Sequence, residues 1–256
     1  MPLNSQLGVK DEGTYGTAVV VDRFFEFDSE AITPDRRKIE SPALRADGRV
    51  RRKDRVVPYL VGAGGPITLP VMTKGFGWWL KHLCGAVTTS GPGAQIEYTH
   101  TGTFATLKGD SFTAQVNKRD EISEADRAIT VEGGKVAKWS LECSVEGILT
   151  LNVETLYEDL ATSTALASAS YPTSADLLTW VRGDININSS QVPMESFKVE
   201  VDNGLDDARL KQKVTTRREE PIEKQLRQIT FEAVCDFDTL TEYERSIAET
   251  IAGATI

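Results

Sequence analysis

Residues 138–147, KWSLECSVEG, alternate without a break. Trp139, Leu141, Cys143 and Val145 fall on one side of the chain, and Lys138, Ser140, Glu142, Ser144 and Glu146 on the other. A strand turns successive side chains to opposite faces, so the segment predicts a ribbon with one apolar face and one polar, mostly acidic face. Three further runs repeat the pattern. ILTLNVETL sets Leu149, Leu151 and Val153 against Thr150, Asn152 and Glu154, and SFKVEVDN sets Phe197, Val199 and Val201 against Lys198, Glu200 and Asp202. QITFEAVCDF sets Ile229, Phe231, Ala233, Cys235 and Phe237 against Thr230, Glu232 and Asp236, with Val234 breaking the alternation. The outward set thus collects Glu142, Glu146, Glu154, Glu200, Asp202, Glu232 and Asp236. One solvated face is ordinary in an antiparallel sheet. The sign is not, because like charges on neighbouring strands cost stability, and Lys138 and Lys198 are the only cations at these outward positions.

The rest of the chain continues in the same style. AVVVDRFFEFDSE, QIEYTH, SFTAQVNKR and RAITVEGG are β-type runs, and Gly133-Gly134 reads as a turn between strands. RVVPYLVGAGGPITLPVM predicts two short strands around a Gly-rich turn. Two segments have helical spacing. Residues 73–87 would be capped by Thr73 and ended by Gly85, and residues 239–253 place Leu240, Tyr243, Ile247 and Ile251 on one side. Residues 1–17 are polar and Gly-rich, an extended arm; residues 159–175 are Ala/Ser/Thr-rich, a loop. Many strands with few helices predict a mainly β fold, an antiparallel β-sandwich or partial barrel with one flanking α-helix and a C-terminal helix. Residues 18–256 form its single domain.

Charge changes the picture more than composition does. Apolar residues make up 40% and charged residues 26% of the 256, ordinary for a folded chain. Net charge is −9, which disfavours a general nucleic-acid binder, since such affinity comes largely from neutralising phosphates. The charge is segregated. Residues 35–55 hold nine basic residues against four acids, net +5, so the remainder carries −14. Such a basic loop is suited to meet an acidic surface on another copy. A basic leader followed by an apolar run is not seen at the start, nor is a membrane-length apolar stretch, so no membrane partner is expected. Cys84, Cys143 and Cys235 are widely spaced and odd in number, which predicts free thiols, the last two on apolar strand faces.

Reactive constellations are not found. His82 and His100 have no metal-ligand spacing. GAGGP at 62–66 is followed by a strand-like run rather than a phosphate-binding helix. DNGLDD at 202–207 reads as a β-turn, not a full calcium loop, and no Gly-x-Ser-x-Gly occurs. No enzyme, metal or cofactor is expected.

The blocks GTYGTAVVVDRFFEFDSEAI, IESPALRADGRVRRKDR, GAGGPITLPV, TKGFGWWLKHLCG and GKVAKWSLECSVEGILTLNVETL, in this order, resemble the major tail tube proteins of long, non-contractile-tailed bacteriophages. The resemblance implies a β-sandwich whose inner sheets join into a continuous barrel within a hexameric ring, the rings stacking into a hollow tube in the virion tail. It implies as partners the chain itself, a tape-measure protein, terminator and distal tail proteins, and genomic DNA in transit without tight binding. Placed on that frame, the seven acidic positions are lumen candidates, and Arg49, Arg51, Arg52, Lys53 and Arg55 are candidates for contact with the next ring. The family also implies a further strand where TIAGATI closes the sequence. Rival readings are a tube or terminator subunit of a contractile or secretion apparatus, and a carbohydrate-binding β-sandwich. The latter expects exposed aromatic platforms, whereas Trp78, Trp79 and Trp139 fall in helix or core patterns; Trp180 fits no pattern.

Overall fold

The computed structural model describes residues 5–43, 48, 50, 52–92, 98–120, 122–183, 185–187, 190–211, 216–236, 240–248 and 254–255. In chain order the elements begin with β1 (Leu7–Asp11), β2 (Arg23–Phe25), β3 (Ser29–Glu30), β4 (Thr33–Glu40) and β5 (Val56–Pro70). Helix α1 (Phe76–Cys84) is followed by β6 (Gly85–Ser90), β7 (Thr99–Phe104), β8 (Phe112–Asn117), β9 (Ala128–Ser144), β10 (Thr150–Tyr157) and β11 (Asp159–Ala161). Then come β12 (Asn186–Ile187), β13 (Ser190–Gln191), β14 (Ser196–Asp202), β15 (Gln228–Val234), helix α2 (Leu240–Ile247) and β16 (Ala254–Thr255).

Strand β9 organises the architecture. Its first half pairs with β8 and β11 and its second half with β10 and β14, all antiparallel. One sheet therefore runs β2-β1-β8-β9, and the other runs β15-β14-β9-β10-β5 with β3 and β4 beyond β5. Because one strand serves both, the sheets curl into a half-barrel, the mainly β fold that the alternation predicts. The apolar faces meet inside. Leu7, Val9 and Phe112 come from one sheet, Ile67, Leu151 and Val153 from the other, and Trp79 and Leu83 from α1.

Helix α1 is clipped to β1 by one carboxylate. Asp11 accepts hydrogen bonds from Trp78 Nε1 at 2.5 Å, Lys81 Nζ at 2.9 Å and His82 Nε2 at 2.9 Å. Burial alone would raise the Asp11 pKa, but the His82 and Lys81 contacts outweigh it and hold the carboxyl well below the usual range. Burial also lowers the pKa of His82.

Several local expectations need correction. The GAGGP segment is no turn: β5 runs straight through it for 15 residues. Its glycines serve close crossing instead, since a Cβ on Gly65 (φ +151°) would sit 2.2 Å from the Ala31 carbonyl oxygen. Gly133-Gly134 likewise lies inside β9, where Gly133 (φ +67°) sits at a bulge and donates its N–H to Glu12 Oε1 at 2.8 Å. That same buried Glu12 accepts from Ser111 Oγ at 2.7 Å and Thr113 Oγ1 at 2.9 Å. The N-terminal segment is therefore not a free arm over its whole length, because β1 is a core strand with Leu7 and Val9 fully buried. Thr73 does not cap α1; it exchanges hydrogen bonds with Asp176, and Gly75 precedes the helix, while Gly85 ends it as expected. Cys84 and Cys143 are buried free thiols, but Cys235 lies past the end of β15 and is exposed. The segment 159–175 opens with β11 rather than loop. Residues 254–255 form the short strand β16 against β12.

The charged connector between β14 and β15 is fastened by buried cations. Lys135 is 1% exposed and pairs with Glu220 at 2.8 Å. Arg218 donates to the carbonyls of Ala63 (3.2 Å) and Tyr157 (3.1 Å) and to Asp35 (3.0 Å). At the same corner Arg217 bridges Glu132 at 2.8 Å and Asp159 at 3.2 Å.

Replacing Asp11 by Ala strands buried donors and is expected to cost about 1–3 kcal/mol in denaturant titrations. In the native chain the Asp11 contribution is present above the ordinary carboxylate range and is lost as pH falls through it. Glu158 behaves oppositely. Burial, with Glu132, Glu12 and Asp159 nearby, raises its pKa to about 7 against the pull of Arg217. The folded state then keeps a proton that the unfolded chain releases, so stability falls as pH rises from about 4.5 through 7. Glu158→Gln should flatten that slope in thermal melts run across this range.

Candidate functional site

The polar face of the second sheet is built in rows. Thr68, Asn152, Ser140, Glu200 and Thr230 stand side by side across β5, β10, β9, β14 and β15. On one side lie Pro70, Thr150, Glu142, Lys198 and Glu232, and on the other Pro66, Glu154, Lys138, Asp202 and Gln228. The register thus brings five of the seven predicted acids, Glu142, Glu154, Glu200, Asp202 and Glu232, onto one face with Lys138 and Lys198, for a net charge of −3. An open trough makes this face concave across the five strands, lined by residues such as Asn152, Glu154, Asp202 and Thr230.

Both cations are already occupied. Lys138 Nζ lies 2.8 Å from Asp202 and Lys198 Nζ 2.9 Å from Glu200. Those contacts raise both lysine pKa values and lower that of Asp202. Glu142 accepts from Asn152 Nδ2 at 3.1 Å, and Asn152 in turn accepts from Thr68 at 2.8 Å. Among the described residues Glu142, Glu154 and Glu232 have no cation within ion-pair distance.

The other two acids are placed differently. Glu146 occupies the tight turn after β9 with φ +65°, where the Gly147 N–H donates to the Ser144 carbonyl at 2.8 Å. Asp236 lies beyond the last residue of β15. Alternation carries no signal for where a strand stops, and both positions fall just past an end.

Two features went unread in the sequence. The first is the exposed edge formed by β15, which pairs only with β14 among the described residues. Its back positions are not core: Ile229 and Ala233 are exposed and Phe231 is half-buried. The apolar alternation of QITFEAV is real, but the described residues leave most of it uncovered. The second is that the basic segment 35–55 is no simple loop, because residues 35–40 belong to strand β4. β4 and the first half of β5 form a two-stranded ribbon that continues from Ala63, the last β5 partner of β10, to the Glu40–Val56 pair. Its inner part is packed, with Leu60 and Ala63 buried and Val61 bridged to Arg217, so the free ribbon from Val61 to Val56 projects roughly 15 Å at about 3.3 Å per residue.

Lys53 and Arg55 are exposed on a 3-10 turn at the ribbon's far end. Arg52 is engaged locally by Asp54, at 3.0 and 2.5 Å. Arg49 and Arg51 lie outside the described residues. Among the described residues no group of His, Cys, Asp and Glu is arranged to hold a metal ion, and no helix is long and apolar enough to cross a membrane.

A profile of phage tail tube proteins matches residues 2–256, nearly the whole chain. The chain belongs to the phage tail tube protein family. No curated protein matches it. Family membership makes it a structural protein of the virion tail that associates with itself and with other tail components.

In a tail tube protein this polar face need not contribute to stability. Lys138→Ala is expected to cost less than about 1 kcal/mol in chemical denaturation, because an exposed ion pair is worth little.

Proposed function

We propose that this tail tube protein closes into hexameric rings through its β15 edge, that the rings stack into an open-ended tube, and that the concave acidic face lines the bore. The observation that carries the reading is the conjunction of a net −3 concave face with a partly apolar strand at its rim whose outer edge is unpaired among the described residues. An exposed edge strand is a template for pairing with another chain. Edge-to-edge pairing around a ring would continue the three polar rows from copy to copy and remove the edge.

The electrostatics suit a conduit. Duplex DNA carries one negative charge per about 1.7 Å, and each phosphate a protein neutralises adds affinity. A cationic lining would grip the genome. Here the lysines are spent on Asp202 and Glu200, leaving hydrated carboxylates and hydroxyls that repel DNA weakly and let it pass. The tape-measure protein would occupy the bore during assembly in the host cytoplasm, and terminator and distal tail proteins would cap the ends. The basic ribbon reaches the adjacent ring, with Lys53 and Arg55 exposed at its far end and Arg49, Arg51 and Arg52 the other candidates for that contact.

Concentrated protein viewed by negative-stain microscopy should show hollow stacked rings. Ile229→Lys with Ala233→Lys should leave a folded monomer that forms none. Glu154→Lys with Glu232→Lys should still assemble but retain DNA in a salt-dependent manner, read by filter binding. A native chain that stays monomeric at every concentration refutes the reading.

A further inference from the structure

The ribbon leaves the second sheet at one end only. β10 runs from Thr150, opposite Pro70, to Tyr157, opposite Ala63, and the ribbon continues past the Tyr157 end. The Thr150 end carries a different surface. Val145 and Ile148 flank the β9–β10 turn there, Val234 ends β15, and Trp180 and Val181 stand on a short 3-10 turn beside them. The Trp180 N–H donates to the Gly147 carbonyl at 3.3 Å, Ile148 bridges Thr179, and the Glu195 N–H donates to the Val234 carbonyl at 2.8 Å. These contacts gather the apolar side chains at one place. Trp180 remains 45% and Val181 72% exposed. Beside them runs a cleft of about 330 Å³ lined by Val145, Trp180, Val192, Pro193 and Met194. Its surroundings are acidic: Glu146, Glu195 and Asp236 lie at this end, with no cation in ion-pair distance among the described residues.

The ribbon offers the complement. Ile39 and Val57 face each other across its two strands and are both exposed, as is Val50 near its tip. Lys38, Lys53 and Arg55 are exposed with no ion pair to a described residue. Apolar surface would therefore meet apolar surface, and cations would meet carboxylates. Exposed ion pairs alone contribute about 0–1 kcal/mol each, so the apolar part must carry the affinity and the charges the register.

We propose that the apolar, acid-rimmed end around Trp180 is the docking surface for the basic ribbon of a second copy of this chain. Trp180 is its anchor, in keeping with the way a buried aromatic dominates a contact surface. Because the two halves sit on opposite ends of one sheet, the contact is heterologous and propagates rather than closing on itself. The inference rests on the stacked-ring reading and adds the receiving surface that reading lacks.

The test compares tube lengths of full-length protein by negative-stain microscopy, with thermal unfolding as the check on folding. Trp180→Ser with Val181→Ser should still give single rings but shorten stacks several-fold, because losing an anchor of about 1.4 kcal/mol lowers each contact's association constant tenfold and the loss repeats in every subunit of the ring. Lys53→Glu with Arg55→Glu should shorten them likewise, and adding Glu146→Lys with Glu195→Lys to that chain should restore length. Native tubes together with unshortened Trp180→Ser/Val181→Ser tubes overturn the inference and leave the ring reading standing. Charge reversal that shortens tubes without restoration also overturns it. A native chain that never forms rings overturns both.

Discussion

One constraint governs this molecule: β9 is shared by two sheets, and its side chains must satisfy both. Along its second half the alternation commits Trp139, Leu141 and Cys143 to the interior, which forces Lys138, Ser140 and Glu142 outward. β10 and β14 are then aligned on it residue by residue, and β5 and β15 on them. A one-residue slip anywhere would carry acids into the core, so the register of the polar rows is protected by the burial behind them. The polar face is specified from its back.

Charged side chains do the remaining fastening. Asp11 holds α1 to β1, Glu12 holds the N-terminal segment to β8 and β9, and Lys135 and Arg218 hold the long connector to the sheets. Glu12, Lys135 and Arg218 are buried and each meets more than one partner, the condition under which a buried charge is tolerated, whereas Asp11 is partly exposed. None of these clamps lies on the concave face. Its own ion pairs are exposed, so its charge can be altered with little effect on the fold.

Alternation made the face legible in the sequence. Period-two patterning gave four strands, their apolar sides and five of the seven acids, and helical spacing with Gly85 gave α1. What it could not give was anything decided by a neighbour. GAGGP and Gly133-Gly134 read as turns because glycine serves both for reversal and for close backbone approach, and only the partners Ala31 and Glu12 distinguish the two. The back of β15 read as core because Ile229, Phe231 and Ala233 alternate correctly, although the described residues leave Ile229 and Ala233 exposed and Phe231 only half-buried. Trp180 had no periodic context at all; its setting is made by bridges to the turn after β9.

The ribbon of β4 and β5 extends past one end of the sheet and, among the described residues, has no counterpart at the other. A particle with unlike poles is a vector. Any column of such particles inherits a sense, with a leading terminus and a trailing terminus that present different chemistry to whatever arrives next. Growth from one terminus and arrest at the other would then demand two unrelated caps, and a cargo threaded through the column would meet every subunit in the same orientation.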